Sequence, residues 1–252
     1  MEVSMFKTLT KIPVLACLLV LALAGCDKAG KSRSIRVGAS STPHALILEQ
    51  AKDHIEKQGY KLEIKVFNDY VLPNHALENG ELDANYFQHK PYLNEFNESN
   101  GTHLVPVLDV HFEPMGIYKG NKDSLDAYSA SDKILVPSDK SNYDRAIALL
   151  AQHQMDKCNV VQVEAQNIPL MLSDCSYAVI NGNYALSSGV VNRCLATEDK
   201  DSDVAKTMAN VIAVKKGSET SEKTKVLVEA LKQENIKAYV QSTFGDSVIY
   251  MG

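Results

Sequence analysis

From Ser34 onward, apolar positions alternate between short runs rich in β-branched residues and longer runs of helical period. Ser34–Ala39 reads as a strand, and His44–Gln58 as a helix that presents Leu48, Ala51 and Ile55 and is stopped by Gly59. Lys61–Val66 alternates Leu62, Ile64 and Val66 with polar residues, the pattern of a strand with one face more buried than the other. A short helix around Pro73–Asn79, a strand Asp83–Phe87 and a helix from Lys90 to Ser99 follow. Pro91 falls in the first turn of that last helix, where a missing N–H is no loss. Leu104–Val107 and Met115–Tyr118 read as strands. A second series repeats the logic: strand Lys133–Val136, helix Asn142–Gln154, strand Val160–Val163, helix Asn167–Leu172, strand Tyr177–Ile180. Val211–Val214 is a further strand, and Ser221–Gln233 and Ile236–Phe244 are closing helices. Two βα series predict an α/β protein of two lobes, and loops at the carboxyl ends of parallel strands converge on a crevice, so a ligand is expected between the lobes.

Ahead of Ser34 the pattern changes. Lys7 and Lys11 precede an apolar run from Ile12 to Ala24 that ends in Leu23-Ala24-Gly25-Cys26. The run is short for a membrane span, which needs roughly 20 apolar residues, and its small-small-Cys ending is that of a lipoprotein signal peptide. Residues 1–25 are therefore expected to be removed, and Cys26 to carry the lipid that holds the protein at a membrane. The polar stretch 26–33 reads as a lipidated tether outside the fold. Removing Glu2, Lys7 and Lys11 takes the formal charge from −5 to −6, a modest acidity that argues against nucleic acid as a partner. Cys158, Cys175 and Cys194 remain, an odd number that leaves pairing open; no Cys-x-x-Cys occurs to suggest a redox or zinc-ribbon role.

Candidate chemistry gathers at strand ends. Asn68-Asp69-Tyr70-Val71 follows one strand, and Asn85-Tyr86-Phe87-Gln88-His89-Lys90-Pro91-Tyr92 runs out of the next. Any one of Tyr70, Phe87 or Tyr92 taken alone is more often core, but their clustering favours a binding surface. His89, at the mouth of a helix, suits donation to a ligand or capping of backbone. A metal site from His89, His103 and His111 matches no ligand spacing, so no metal and no cofactor is expected. Ser138-Asp139-Lys140-Ser141-Asn142-Tyr143-Asp144-Arg145 opens a helix, and the planar guanidinium of Arg145 matches a carboxylate; the plainer alternative is a surface ion pair with an aspartate. Val179-Ile180-Asn181-Gly182-Asn183-Tyr184-Ala185 breaks from an apolar strand into amides, where an asparagine offers donors and an acceptor to both poles of a zwitterion.

Taken in order, Val37-Gly38-Ala39, Pro43-His44, Asp83 to His89, His111-Phe112-Glu113-Pro114-Met115-Gly116 and Val179 to Ala185 resemble the NlpA/MetQ lipoproteins over essentially the whole mature chain. That resemblance implies a type II periplasmic-binding fold with lobes at 34–113 plus 213–252 and at 114–212. It implies the methionine-binding component of an ABC importer, delivering its ligand to a membrane permease whose ATPase is a separate protein, from the periplasmic or exterior face of the cell membrane. By the same resemblance Tyr70, Phe87, His89 and Tyr92 surround the ligand side chain, Arg145 binds the carboxylate with Asn142 beside it, and Asn181 and Asn210 hold the amino-acid backbone groups. Asn210 is placed by its position in Lys206-Thr207-Met208-Ala209-Asn210, ahead of a strand. Two rival classes remain: an amino-acid-processing enzyme using His89 or His111, for which no nucleophile elbow, phosphate loop or zincin helix is present, and a lipoprotein without ligand affinity that acts as a surface or interaction protein.

Overall fold

Strand β1 (Ser34–Ser40) is buried at six of its seven positions and lies between β2 (Lys61–Phe67) and β3 (Ala84–His89), parallel to both. The computed structural model describes residues 33–252; the expected signal peptide, Cys26 and all of the tether but Arg33 lie outside the described residues. Between β1 and β2 the chain makes a tight turn over Ser41–Ala45 and two short helices, α1 (Leu46–Glu49) and α2 (Lys52–Lys57). The single helix expected over His44–Gln58 is broken in this way because the Gln50 and Ala51 amides bond back only three residues, to Ile47 and Leu48.

Helix α3 (Leu72–Glu78) leads into β3, all six residues of which are buried, and α4 (Lys90–Asn100) follows directly. Gly101 closes α4 in the left-handed conformation, φ 63°. Strand β4 (Leu104–Phe112) runs five residues beyond the expected Val107, because β10 (Asn210–Lys215) and the two-residue β11 (Ile249–Tyr250) pair along it. The resulting six-stranded sheet has the order β11-β4-β10-β3-β1-β2. Strand β10 enters it at Asn210, three residues ahead of the expected re-entry at 213. Helices α8 (Glu222–Leu231) and α9 (Glu234–Phe244) cover it, with Leu227, Leu231, Ile236 and Val240 joining Ile35, Val37 and Tyr86 in one core.

The second series builds a five-stranded sheet of order β7-β6-β8-β5-β9 from β5 (Gly116–Lys119), β6 (Lys133–Pro137), β7 (Asn159–Val163), β8 (Tyr177–Ile180) and β9 (Cys194–Thr197). Strand β6 is parallel to β7 and β8, while β5 is antiparallel to β8 and β9. Helix α5 (Lys140–Gln152) starts two residues before the expected Asn142, since Asp139 is its cap and accepts the Asn142 N–H at 3.0 Å. The helix expected over Asn167–Leu172 is a 3₁₀ segment, Ala165–Asp174, with Pro169 inside it. Helices α6 (Gly182–Ser187) and α7 (Asp203–Thr207) complete the set. Cys158, Cys175 and Cys194 are all free thiols, and no described helix is long and apolar enough to cross a membrane.

Candidate ligand-binding site

Tyr70, Phe87, His89, Tyr92, Asn142, Arg145, Asn181 and Asn210 all line one cavity, together with Gln88, Glu113, Gly182 and Asn183. The free space inside is small, about 20 Å³, so the walls stand nearly closed on one another. Its walls come from different sheets. Phe87 and His89 end β3, Tyr92 lies in the first turn of α4, and Tyr70 lies between β2 and α3; Asn142 and Arg145 project from α5, and Asn181 caps α6 after β8.

The aromatic wall is a packed set. Tyr70 stands 5.7 Å from Phe87 and 5.6 Å from Tyr92, ring centre to ring centre, and 4.9 Å from Tyr184 on α6. Its hydroxyl donates to Asn183 Oδ1 at 2.6 Å, while the Tyr184 hydroxyl donates to the Asn68 carbonyl at 3.3 Å, so the two lobes meet through these rings. Burial pushes the hydroxyls of Tyr70, Tyr92 and Tyr184 well above their ordinary range, and all stay protonated donors.

His89 both caps and faces the cavity. Its Nδ1 accepts the Tyr92 N–H at 3.2 Å, which leaves Nε2 to donate to Asn142 Oδ1 at 3.1 Å. Burial, with Arg145 adding to it, lowers its pKa to about 4, so the ring is neutral near pH 7. Asn142 Oδ1 also accepts from Asn181 Nδ2 at 2.7 Å, and Asn142 Nδ2 donates to Asp139 at 2.9 Å. The chain of amides ends at Asn181 Oδ1, which is buried and has no hydrogen-bond partner among the described residues. A buried acceptor left unpaired costs about 1–3 kcal/mol, which a donor arriving in the cavity would recover.

Arg145 departs from expectation in two ways. It is the sixth residue of α5, in the second turn rather than at the helix start. It also has a buried partner that the sequence did not reveal: its Nε donates to Glu198 Oε1 at 2.8 Å and its Nη2 to Glu198 Oε2 at 2.5 Å, with the Glu113 carbonyl taking a further Nη2 bond at 2.9 Å. Only Nη1 has no bond among the described residues. Glu198 lies in Thr197-Glu198-Asp199-Lys200, a run that reads as polar surface and carries no signal of a buried partner.

Behind the cavity sits a polar cluster that only the fold assembles. Strand register sets Asn210 opposite both His89 and His111. Asn210 Oδ1 lies 3.0 Å from His44 Nε2, His111 Nε2 lies 2.6 Å from Glu113 Oε1, and the Tyr86 hydroxyl contacts His111 Nδ1. Burial lowers the pKa of His44 to about 4 and of His111 to about 3, and raises that of Glu113. His44, His111 and Glu113 offer ligand atoms within 4.8 Å of one another, but these atoms already bond to each other and to Asn210. His103, by contrast, is exposed beside Glu78. Gly182 fits against this cluster because a Cβ there would stand 2.7 Å from that of Glu113. A second buried network, Asn74, Asn85 and Gln88, braces β3 below the rings through bonds of 2.7–2.9 Å.

Residues 35–251 match the NlpA lipoprotein family. The chain belongs to that family. Among its relatives, the methionine-binding lipoprotein MetQ of Bacillus subtilis is 32% identical over 91% of this chain and 93% of its own length. The structure of an ABC transporter periplasmic substrate-binding protein from Coxiella burnetii is 33% identical, with a TM-score of 0.80 over 86% of this chain and 100% of that one. A nutrient-binding protein from Burkholderia cenocepacia, solved bound to methionine, is 30% identical, again with a TM-score of 0.80 over 86% and 100% of the two chains. This NlpA family member therefore has the two-lobed fold of periplasmic substrate-binding proteins, with its cavity where the two sheets' strand ends meet, and it belongs to a family of membrane lipoproteins.

Proposed function

We propose that this protein reversibly captures L-methionine, or a closely related amino acid, between its lobes and delivers it to an ABC permease driven by a separate ATPase. The observation that carries the reading is the cavity shared by rings, an arginine and amides, in which Asn181 Oδ1 is buried without a partner among the described residues. A ligand ammonium would donate to that oxygen, the Nη1 edge of Arg145 would take the carboxylate, and Tyr70, Phe87 and Tyr92 would hold the thioether through sulfur–aromatic contact. Because Glu198 already neutralises Arg145, the site suits a zwitterion of no net charge better than an anion. The names of the Bacillus and Burkholderia relatives support methionine as the ligand. The ligand leaves unchanged: no covalent step and no cofactor belongs to this reading. A lipid on Cys26 would hold the protein at the cell membrane, facing the periplasm or the exterior, with 34–113 and the segment from Asn210 onward as one lobe and the stretch between as the other.

Calorimetric titration with L-methionine should give saturable one-to-one heat, and the ligand at 100 times its Kd should stabilise the fold by about 2.7 kcal/mol. Absence of heat with methionine and with every other common amino acid overturns the proposal, and recovery of a chemically altered ligand would replace it with an enzymatic one.

A further inference from the structure

Helix α4 follows β3 of the six-stranded sheet and α5 follows β6 of the five-stranded sheet, so a bond between these helices joins the two lobes. The first turn of α5 presents the backbone N–H groups of Lys140, Ser141 and Asn142, which have no partners within the helix. Asp139 takes only the last of them. The other two are taken from across the lobes by Glu95 on α4: Lys140 N–H donates to its Oε1 at 3.1 Å and Ser141 N–H to its Oε2 at 2.9 Å. A carboxylate there also faces the positive end of the α5 dipole.

We propose that Glu95 is a positioning residue for lobe closure, a latch that forms when α5 seats on α4 and that slows release of the ligand without touching it. Glu95 does not line the binding cavity; it borders a separate groove, with Pro91, Asp144 and Leu149. The same helix carries Asn142 and Arg145 into the cavity, so fixing its start on α4 also fixes where those two groups stand. In an open form water would satisfy both the carboxylate and the two N–H groups, so the latch contributes only the difference, on the order of a ten-fold bias toward the closed state. That bias falls on dissociation, because the contact forms after the ligand has entered.

The inference rests on the proposed function, and the experiment separates the two. Stopped-flow release of methionine is measured for the wild type, Glu95→Gln, Glu95→Ala and Glu98→Gln. Glu98 is an exposed acid on the same helix and serves as the charge control. Glu95→Ala should release roughly ten times faster with its association rate within about two-fold of wild type, Glu95→Gln should fall between, and Glu98→Gln should match wild type. Unchanged release in Glu95→Ala, or an equal acceleration in Glu98→Gln, overturns the latch. So does a lowered thermal midpoint of ligand-free protein without faster release, which would make Glu95 only a cap for α5. Should the wild type bind no methionine, the proposed function falls on its own. Small-angle scattering of ligand-free protein then decides the latch: a larger radius of gyration for Glu95→Ala supports it and an equal one overturns it.

Discussion

The two walls of the cavity differ in how complete they are. On the side of the six-stranded sheet, Tyr70, Phe87 and Tyr92 pack on one another, His89 spends one nitrogen on a helix cap, and Asn74, Asn85 and Gln88 brace the strand beneath. On the side of the five-stranded sheet, among the described residues, Arg145 has bonds on two of its three nitrogens and Asn181 has an acceptor with no partner. The first wall is finished without a ligand, while the second is left short by a donor and an acceptor. In the proposed reading, shape and apolar contact thus come from a packed surface, and the groups that would recognise an amino acid's charged end come from one whose own hydrogen bonding is incomplete.

Replacing Arg145 with Ala should have the largest effect. It removes the cation and leaves Glu198, 6% exposed, buried and unpaired, so methionine binding should be lost in calorimetry and stability to urea should fall by about 3–5 kcal/mol. Pairing Arg145→Leu with Glu198→Leu should restore most of the stability and none of the binding. If binding returned as well, the polar wall would not be the recognising one.

Phe87→Ala tests the other wall. The buried ring fills space between Tyr70 and Tyr92, so its loss should cost about 3–5 kcal/mol of folding stability. Methionine affinity should drop at least about ten-fold while the site keeps its preference for zwitterions. A loss of that preference with little loss of affinity would reverse the roles assigned to the two walls.

Acidification should act on the histidine side. His44 and His89 have pKa values lowered to about 4 and His111 to about 3, all chiefly by burial. The folded state therefore holds these rings neutral while the unfolded chain takes up protons below its own value near 6.5, so their contribution is present above that value and is lost as pH falls toward 4. Glu113, raised by burial, has the opposite sign: it favours the fold at low pH and loses that contribution as pH rises, which offsets part of the change. The melting temperature should be about 10 °C lower at pH 5 than at pH 7; an unchanged value would mean that the cluster accepts protons in the folded state.

Tyr70→Phe should have the smallest effect. It removes only the 2.6 Å bond to Asn183 across the lobes and keeps the ring, so affinity should weaken about five-fold, read from titration, with stability nearly unchanged.

Much of this arrangement was legible in the chain itself. Period-two and helical runs located nearly every strand and helix that carries a site residue, because those elements bury one face and the burial leaves its pattern in consecutive residues. The strand-end and helix-start positions of Tyr70, Phe87, His89, Tyr92, Asn142, Arg145 and Asn181 followed from the same reading, Asn210 came from the family resemblance alone, and the fold brings all eight to one cavity. Elements with a weak periodic signal were lost: β9, α7 and β11 are two to five residues long, and the far half of β4 lies beyond Pro106 and is held by partners distant in sequence. What only the tertiary structure decided is who pairs with whom. Glu198 reaches Arg145 from 53 positions away, Glu95 reaches Ser141 from 46, and Asn210 meets His44 from 166. Local pattern records which side of an element is buried, but hydrogen bonds and ion pairs between elements depend on register and lobe packing, and neither is written in the residues next to the ones that bond.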